Sequence, residues 1–135
     1  MTSCGLAGPF ITVLAVNPEN KCGMYINCLL DTGARHSIFS KDVCDATDHN
    51  YEGFGVKQSS SAGIGTDELP TWLHTFEIHL LAPNSDEVVW KGAPVEIECG
   101  KLPTGIPNIL GYDNFLKHFK MDVDYPRGVF TLHVP

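Results

Sequence analysis

The sequence predicts an all-β domain, and two features carry that expectation. Short apolar runs are punctuated throughout by nine prolines and thirteen glycines, the spacing of strands joined by tight turns. No repeat, low-complexity tract or long linker divides the 135 residues. That length suits one domain over residues 1–135 with a single core.

The elements follow in order. Phe10 to Val16 is an apolar run of strand length, and Asn17-Pro18-Glu19-Asn20 has the composition of a turn. Met24 to Leu30 is a second strand, more continuously apolar and therefore expected to be buried on both faces, and it ends at Asp31. Residues 42–55, with Asp45, Asp48, Asn50, Gly53 and Gly55, have loop chemistry. Val56 to Leu81 reads as a long hairpin with Ser61-Ala62-Gly63-Ile64-Gly65-Thr66 at its tip and Trp72, Phe76, Ile78 and Leu80 alternating on the returning arm. Its two tip glycines permit a tight reversal. Two further strands are expected near Glu87 to Trp90 and Ala93 to Cys99. Beyond Ile109-Leu110-Gly111, the residues Tyr112, Phe115, Leu116 and Phe119 fall at i, i+3, i+4 and i+7 and predict a helix with one apolar face, capped by Asp113 or Asn114. A closing hairpin, Met121 to Tyr125 and Val129 to Val134, turns at Tyr125-Pro126-Arg127-Gly128, where proline suits the second position and glycine the fourth.

Composition excludes several function classes. Nine Lys and Arg against sixteen Asp and Glu give a formal charge of −7. The basic residues are scattered, so nucleic acid is not an expected partner, and the acidic balance disfavours an anionic membrane surface. Five cysteines without a C-x-x-C pair argue against a disulfide framework or a zinc ribbon and predict reduced, mostly buried thiols. Among six histidines, His74 and His79 would face opposite sides of one strand and the rest lie far apart, so no metal is expected. No cysteine stands in a recognisable nucleophile setting, and no G-x-S-x-G elbow is present. Met1 to Pro9 has no basic n-region, and Phe10 to Val16 is too short for a signal core or a membrane span. The expected setting is cytoplasmic or inside a virion, or the chain is released from a larger precursor.

The chemistry concentrates in Leu29-Leu30-Asp31-Thr32-Gly33-Ala34, an acid, a hydroxyl, a glycine and a small residue directly after an apolar strand. Alone, Asp-Thr-Gly is a common turn. In this setting it resembles the active-site motif of aspartic proteases, hydrophobic-hydrophobic-Asp-Thr-Gly-Ala. One copy in a chain of this size is similar to the retropepsins, the retroviral and retroviral-like proteases that work as homodimers. Ala62-Gly63-Ile64-Gly65 resembles their flap tip. Asn108-Ile109-Leu110-Gly111 resembles the hydrophobic-hydrophobic-Gly segment that packs beneath the catalytic loop. The resemblance runs over residues 10–134, and the ending Phe119 to Tyr125 with its hairpin is more similar to the cellular and bacterial branch.

That resemblance implies a retropepsin-like closed barrel with a flap hairpin and one short C-terminal helix, functional as a homodimer. It implies an aspartic endopeptidase acting on peptide or protein substrates without a cofactor. Peptide hydrolysis of this kind needs one group to take a proton from water and another to give one. Two carboxyls within hydrogen-bonding distance cannot both ionise cheaply and so share a proton, and aspartic proteases are the standard instance. One Asp31 per chain is half of such a pair, so a two-fold axis would supply the other.

The implied roles fall residue by residue. Asp31 is the catalytic acid, Thr32 bonds across the axis, and Gly33 lets the backbone approach closely. Ala34 leaves room for an extended substrate. In the flap segment Ala62-Gly63-Ile64-Gly65, assigned to the substrate site, backbone amides near Ile64 would hold its carbonyls through a water, and the glycines would give hinge freedom for opening. Ile38, Ile64 and Ile109 are candidate subsite walls. Arg35, also assigned to the substrate site, and His36 stand where well-known viral members are acidic. The acid there usually pairs with an arginine after the glycine, whereas this chain has Tyr112 and Asp113. A reversed pair, Arg35 with Asp113, is the expectation.

Two readings from other classes compete. A retropepsin-like dimer could serve as a peptide-binding or assembly module without turnover, but intact Asp31, Thr32 and Gly33 favour the enzyme. A monomeric structural domain would leave strand edges near both termini unpaired.

Overall fold

The computed structural model describes residues 9–61 and 68–135. Six strands hydrogen-bond in a ring: β1 (Phe10–Val16), β2 (Gly23–Leu30), β8 (Asn108–Leu110), β3 (Ile38–Ser40), β7 (Val95–Gly100) and β5 (Leu69–Leu81), with β5 returning to β1. This closed all-β barrel matches the retropepsin-like architecture implied by the motifs. β4 (Gln58–Ser61) and β6 (Val88–Lys91) extend from β5, and β9 (Lys120–Asp124) pairs with β10 (Val129–His133) as a separate two-stranded sheet.

Alternation explains the strands. Ile11, Val13 and Ala15 of β1 and Phe76, Ile78 and Leu80 of β5 point into the barrel and are buried. The hairpin expected around the flap forms, with Gln58 opposite Trp72 and Ser61 opposite Leu69. Phe39 and Phe76 meet edge to face at 5.1 Å between ring centroids, and Trp90 packs on Phe119 at 4.8 Å. The closing hairpin turns as expected, with Gly128 N–H donating to the Tyr125 carbonyl at 3.1 Å. It lays Phe130 and Leu132 on the core.

Three local expectations are corrected. β2 is buried on one face only: Ile26, Cys28 and Leu30 face inward, while Tyr25 is 55% exposed. A strand with one face on the core and the other towards solvent needs only one apolar face.

Residues 41–46, inside the stretch read mostly as loop, form a short helix, α1 (Lys41–Ala46). Ser40 caps it by accepting from Val43 N–H at 3.4 Å, Asp42 sits in its first turn, and Val43 and Cys44 are buried.

The predicted helix over Tyr112 to Phe119 is a single 3-10 turn, Leu116–His118, preceded by turns. Phe115 and Leu116 are buried, whereas Tyr112 is 55% exposed. Neither Asp113 nor Asn114 caps it, because both side chains are used elsewhere.

Cys28, Cys44 and Cys99 are buried free thiols and Cys22 is an exposed one. Burial pushes the Cys28 thiol well above its usual range.

Candidate active site

Asp31 follows the last residue of β2, where Leu30 pairs in parallel with Leu110 of β8. Its backbone N–H donates to the Leu110 carbonyl at 3.1 Å. Gly33 N–H donates to Asp31 Oδ1 at 2.9 Å, and Ala34 N–H donates to the Asp31 carbonyl at 3.1 Å. The carboxylate is half-buried and held by a backbone donor through one oxygen, while Oδ2 has no partner among the described residues.

The loop from Asp31 to Ser37 is clamped to residues 108–114. Tyr112 N–H donates to the Ala34 carbonyl at 2.9 Å and Asp113 N–H to the Arg35 carbonyl at 2.8 Å. Gly111 N–H donates to the buried Ser37 Oγ at 2.9 Å, and Ser37 N–H donates to Asn114 Oδ1 at 2.6 Å. Ser40 N–H donates to Asn108 Oδ1 at 2.8 Å. A side chain at Gly111 would put its Cβ 2.5 Å from the His36 carbonyl oxygen and 2.8 Å from that of Ala34. Only glycine lets the two segments lie this close. The packing expected of the hydrophobic-hydrophobic-Gly segment against the Asp31 loop is therefore present.

Arg35 and Asp113 meet as expected, Nε to Oδ2 at 3.0 Å. His36 Nδ1 lies 3.8 Å from the same oxygen. The Arg35 side chain is 79% exposed, so solvent screens the pair.

Two cavities flank the Asp31 loop. One of about 430 Å³ is lined by Asp31, Gly33 and Ala34 together with Ile38, Ile109 and Glu98. The second, about 340 Å³, lies over Thr32, Arg35, Tyr112 and Asp113. Arg35 borders both. A larger cavity of about 920 Å³, between the start of β1, the middle of β2 and residues 81–86, includes none of residues 31–38.

Asp31, Gly33, Ala34, Arg35, Ile38 and Ile109 thus come together around one space, with exposed Thr32 beside them. The flap-tip residues Ala62, Gly63, Ile64 and Gly65 lie outside the described residues. Sequence reasoning missed Ser37 and Glu98, and it placed Asn108 in the segment before Gly111 without its bond to Ser40 N–H. Asn114 was visible only as a possible cap. Glu98 occupies an unremarkable position in β7, and only the folded barrel reveals that it reaches the space near Asp31.

No family model matches the sequence, and no curated protein matches it. Among solved structures the chain is similar to the protease of EIAV complexed with the inhibitor HBY-793, at 19% sequence identity and a TM-score of 0.49, over 84% of this chain and 89% of that one.

Proposed function

We propose that the protein is an aspartic endopeptidase in which Asp31 from each of two copies forms one water-activating pair. The observation that supports this most directly is the Asp31 loop itself. An acid at a strand end has one oxygen fixed by Gly33 N–H and the other left open, above a segment that admits no side chain at Gly111. The Gly33 contact is an Asx-turn, which any aspartate at a turn can form; what supports the catalytic reading is the open Oδ2 of a half-buried acid bordering a cavity.

In the proposed dimer the two carboxylates share a proton. The ionised one takes a proton from water as the water oxygen attacks the peptide carbonyl and the protonated one gives its proton to the carbonyl oxygen. The C–N bond then breaks as the carboxyl that took water's proton passes it to the amine nitrogen, and the diol's hydroxyl proton returns to the other carboxylate. Thr32 and Gly33 are exposed beside Asp31, where a symmetric neighbour can reach them. Ile38 and Ile109 offer apolar walls to an extended substrate, whose main chain supplies hydrogen bonds and whose side chains alternate into subsites.

The test is cleavage of a peptide library by the wild type and by Asp31→Asn, with sedimentation of each. The wild type is expected to cleave, and Asp31→Asn to lose at least about a hundredfold in rate while remaining dimeric. Cleavage surviving in Asp31→Asn overturns the proposal. A silent wild type that still binds peptides as a dimer would instead identify a peptide-binding module.

A further inference from the structure

We infer that the cavity beside Asp31 selects substrates bearing a lysine or arginine side chain, with Glu98 as the residue that recognises the cation; this rests on the endopeptidase reading above. Glu98 is 9% exposed, on β7, and borders the same cavity as Asp31, Ile38 and Ile109. Thr71 Oγ1 donates to Glu98 Oε1 at 3.0 Å. Oε2 has no hydrogen-bond partner among the described residues, and no Lys, Arg or His among them lies within ion-pair distance of this carboxylate.

That free oxygen is not sealed in the core, since among the described residues the buried side-chain polar atom without a partner is the Tyr51 hydroxyl; it therefore stays open to a group that enters the cavity. An ammonium or guanidinium arriving from a ligand would complete it with charge-assisted hydrogen bonds. Ile38 and Ile109 suit the aliphatic stem that carries such a group, since long cationic side chains lay their methylenes on apolar surface and direct the charge to a polar end. The cavity is large enough, at about 430 Å³.

Arg35 and His36 border the same space, and the Arg35 charge acts against this preference. Arg35 is 79% exposed with its Nε on Asp113, and His36 lies 3.8 Å from that same Asp113 oxygen. Both therefore sit beside a carboxylate at the solvent-facing edge, where the Arg35 charge is screened, whereas Glu98 is mostly buried. The chain as a whole carries −7, which favours approach of a cationic peptide. In a symmetric dimer each copy brings one Glu98, so the preference falls at equal distances on both sides of the scissile bond.

The experiment uses matched peptides in which lysine or norleucine is placed at each position around the cut. Norleucine keeps the aliphatic stem and removes the charge. Cleavage is measured with the wild type and Glu98→Gln, and binding with the wild type and Asp31→Asn. At one position on each side of the cut, lysine is expected to be favoured about tenfold or more, the range of a charge-assisted bond. In Glu98→Gln that ratio falls towards parity, and in Asp31→Asn it persists as a binding ratio.

Lysine no better than norleucine at every position, or a preference unchanged in Glu98→Gln, overturns the inference. The comparison on the wild type needs no substitution, so it decides even if Glu98→Gln does not fold. Cleavage without a lysine preference sinks this inference and leaves the endopeptidase reading standing. Lysine-dependent binding with no cleavage of any peptide does the reverse.

Discussion

Tyr51 is 5% exposed, packs its ring against Trp72 at 4.8 Å between centroids, and carries a hydroxyl with no hydrogen-bond partner among the described residues. A buried hydroxyl without a partner forfeits its hydration for nothing. Tyr51→Phe is therefore expected to stabilise the fold by about 1 kcal/mol, read as a higher midpoint in denaturant. Burial, with negative charge nearby as a lesser cause, pushes the Tyr51 phenol up to about 12. An unfolded tyrosine ionises near pH 10. Between those values the unfolded chain has released a proton that the folded chain retains, so stability falls as pH rises through the window and is unaffected below it. Tyr51→Phe should flatten that part of the stability curve, and unchanged alkaline sensitivity would refute the assignment to Tyr51. The Arg35–Asp113 pair has a short contact but an Arg35 side chain 79% exposed, so geometry overstates its worth. A double-mutant cycle with alanine at both positions should give a coupling below about 1 kcal/mol, shrinking with added salt.

At the scale of elements, the parallel pairing of β2 with β8 carries Asp31 into place, and Gly111 governs how closely the following segments approach. A methyl group at Gly111 would meet the backbone of His36 at 2.5 Å, where no side chain can rotate away. Gly111→Ala is expected to destabilise the protein by about 3 kcal/mol or more and to reduce peptide turnover by displacing the Asp31 loop. A normal melting temperature with full activity would contradict it. Ser37→Ala, which leaves the buried Gly111 N–H without its acceptor, should cost about 1–3 kcal/mol. The strands were legible because alternating apolar residues such as Phe76, Ile78 and Leu80 announce a one-sided face, and Asp31 was legible because its motif is local. The segment over 112–119 misled because its period described residues that pack, namely Phe115 and Leu116, while Asn114 and Asp113 were already bound to Ser37 N–H and Arg35. α1 was hidden by its length, since six residues are too few to display a helical period. Glu98 was invisible for a different reason: its closeness to Asp31 arises from β3 and β7 pairing in parallel, Ile38 beside Glu98, a long-range contact that no local pattern encodes.

For the whole molecule, the proposed chemistry makes activity a property of pairs of chains. If one Asp31 from each copy is required, a dimer of one wild-type chain and one Asp31→Asn chain is inactive, and only dimers of two wild-type chains cleave. Random exchange in a closed two-fold dimer gives such pairs in proportion to the square of the wild-type share, so an equal mixture should retain about a quarter of the activity of the same total protein. A chain that works alone would retain about half under the same mixing, because each wild-type copy would contribute independently. The two expectations separate most clearly along a titration from pure wild type to pure variant, carried out after co-refolding so that exchange is complete and read at substrate saturation. A parabola through the origin supports a site assembled from both copies. A straight line would mean that Asp31 acts within its own barrel, and the half-satisfied carboxylate at the end of β2 would then need a second acid from the same chain.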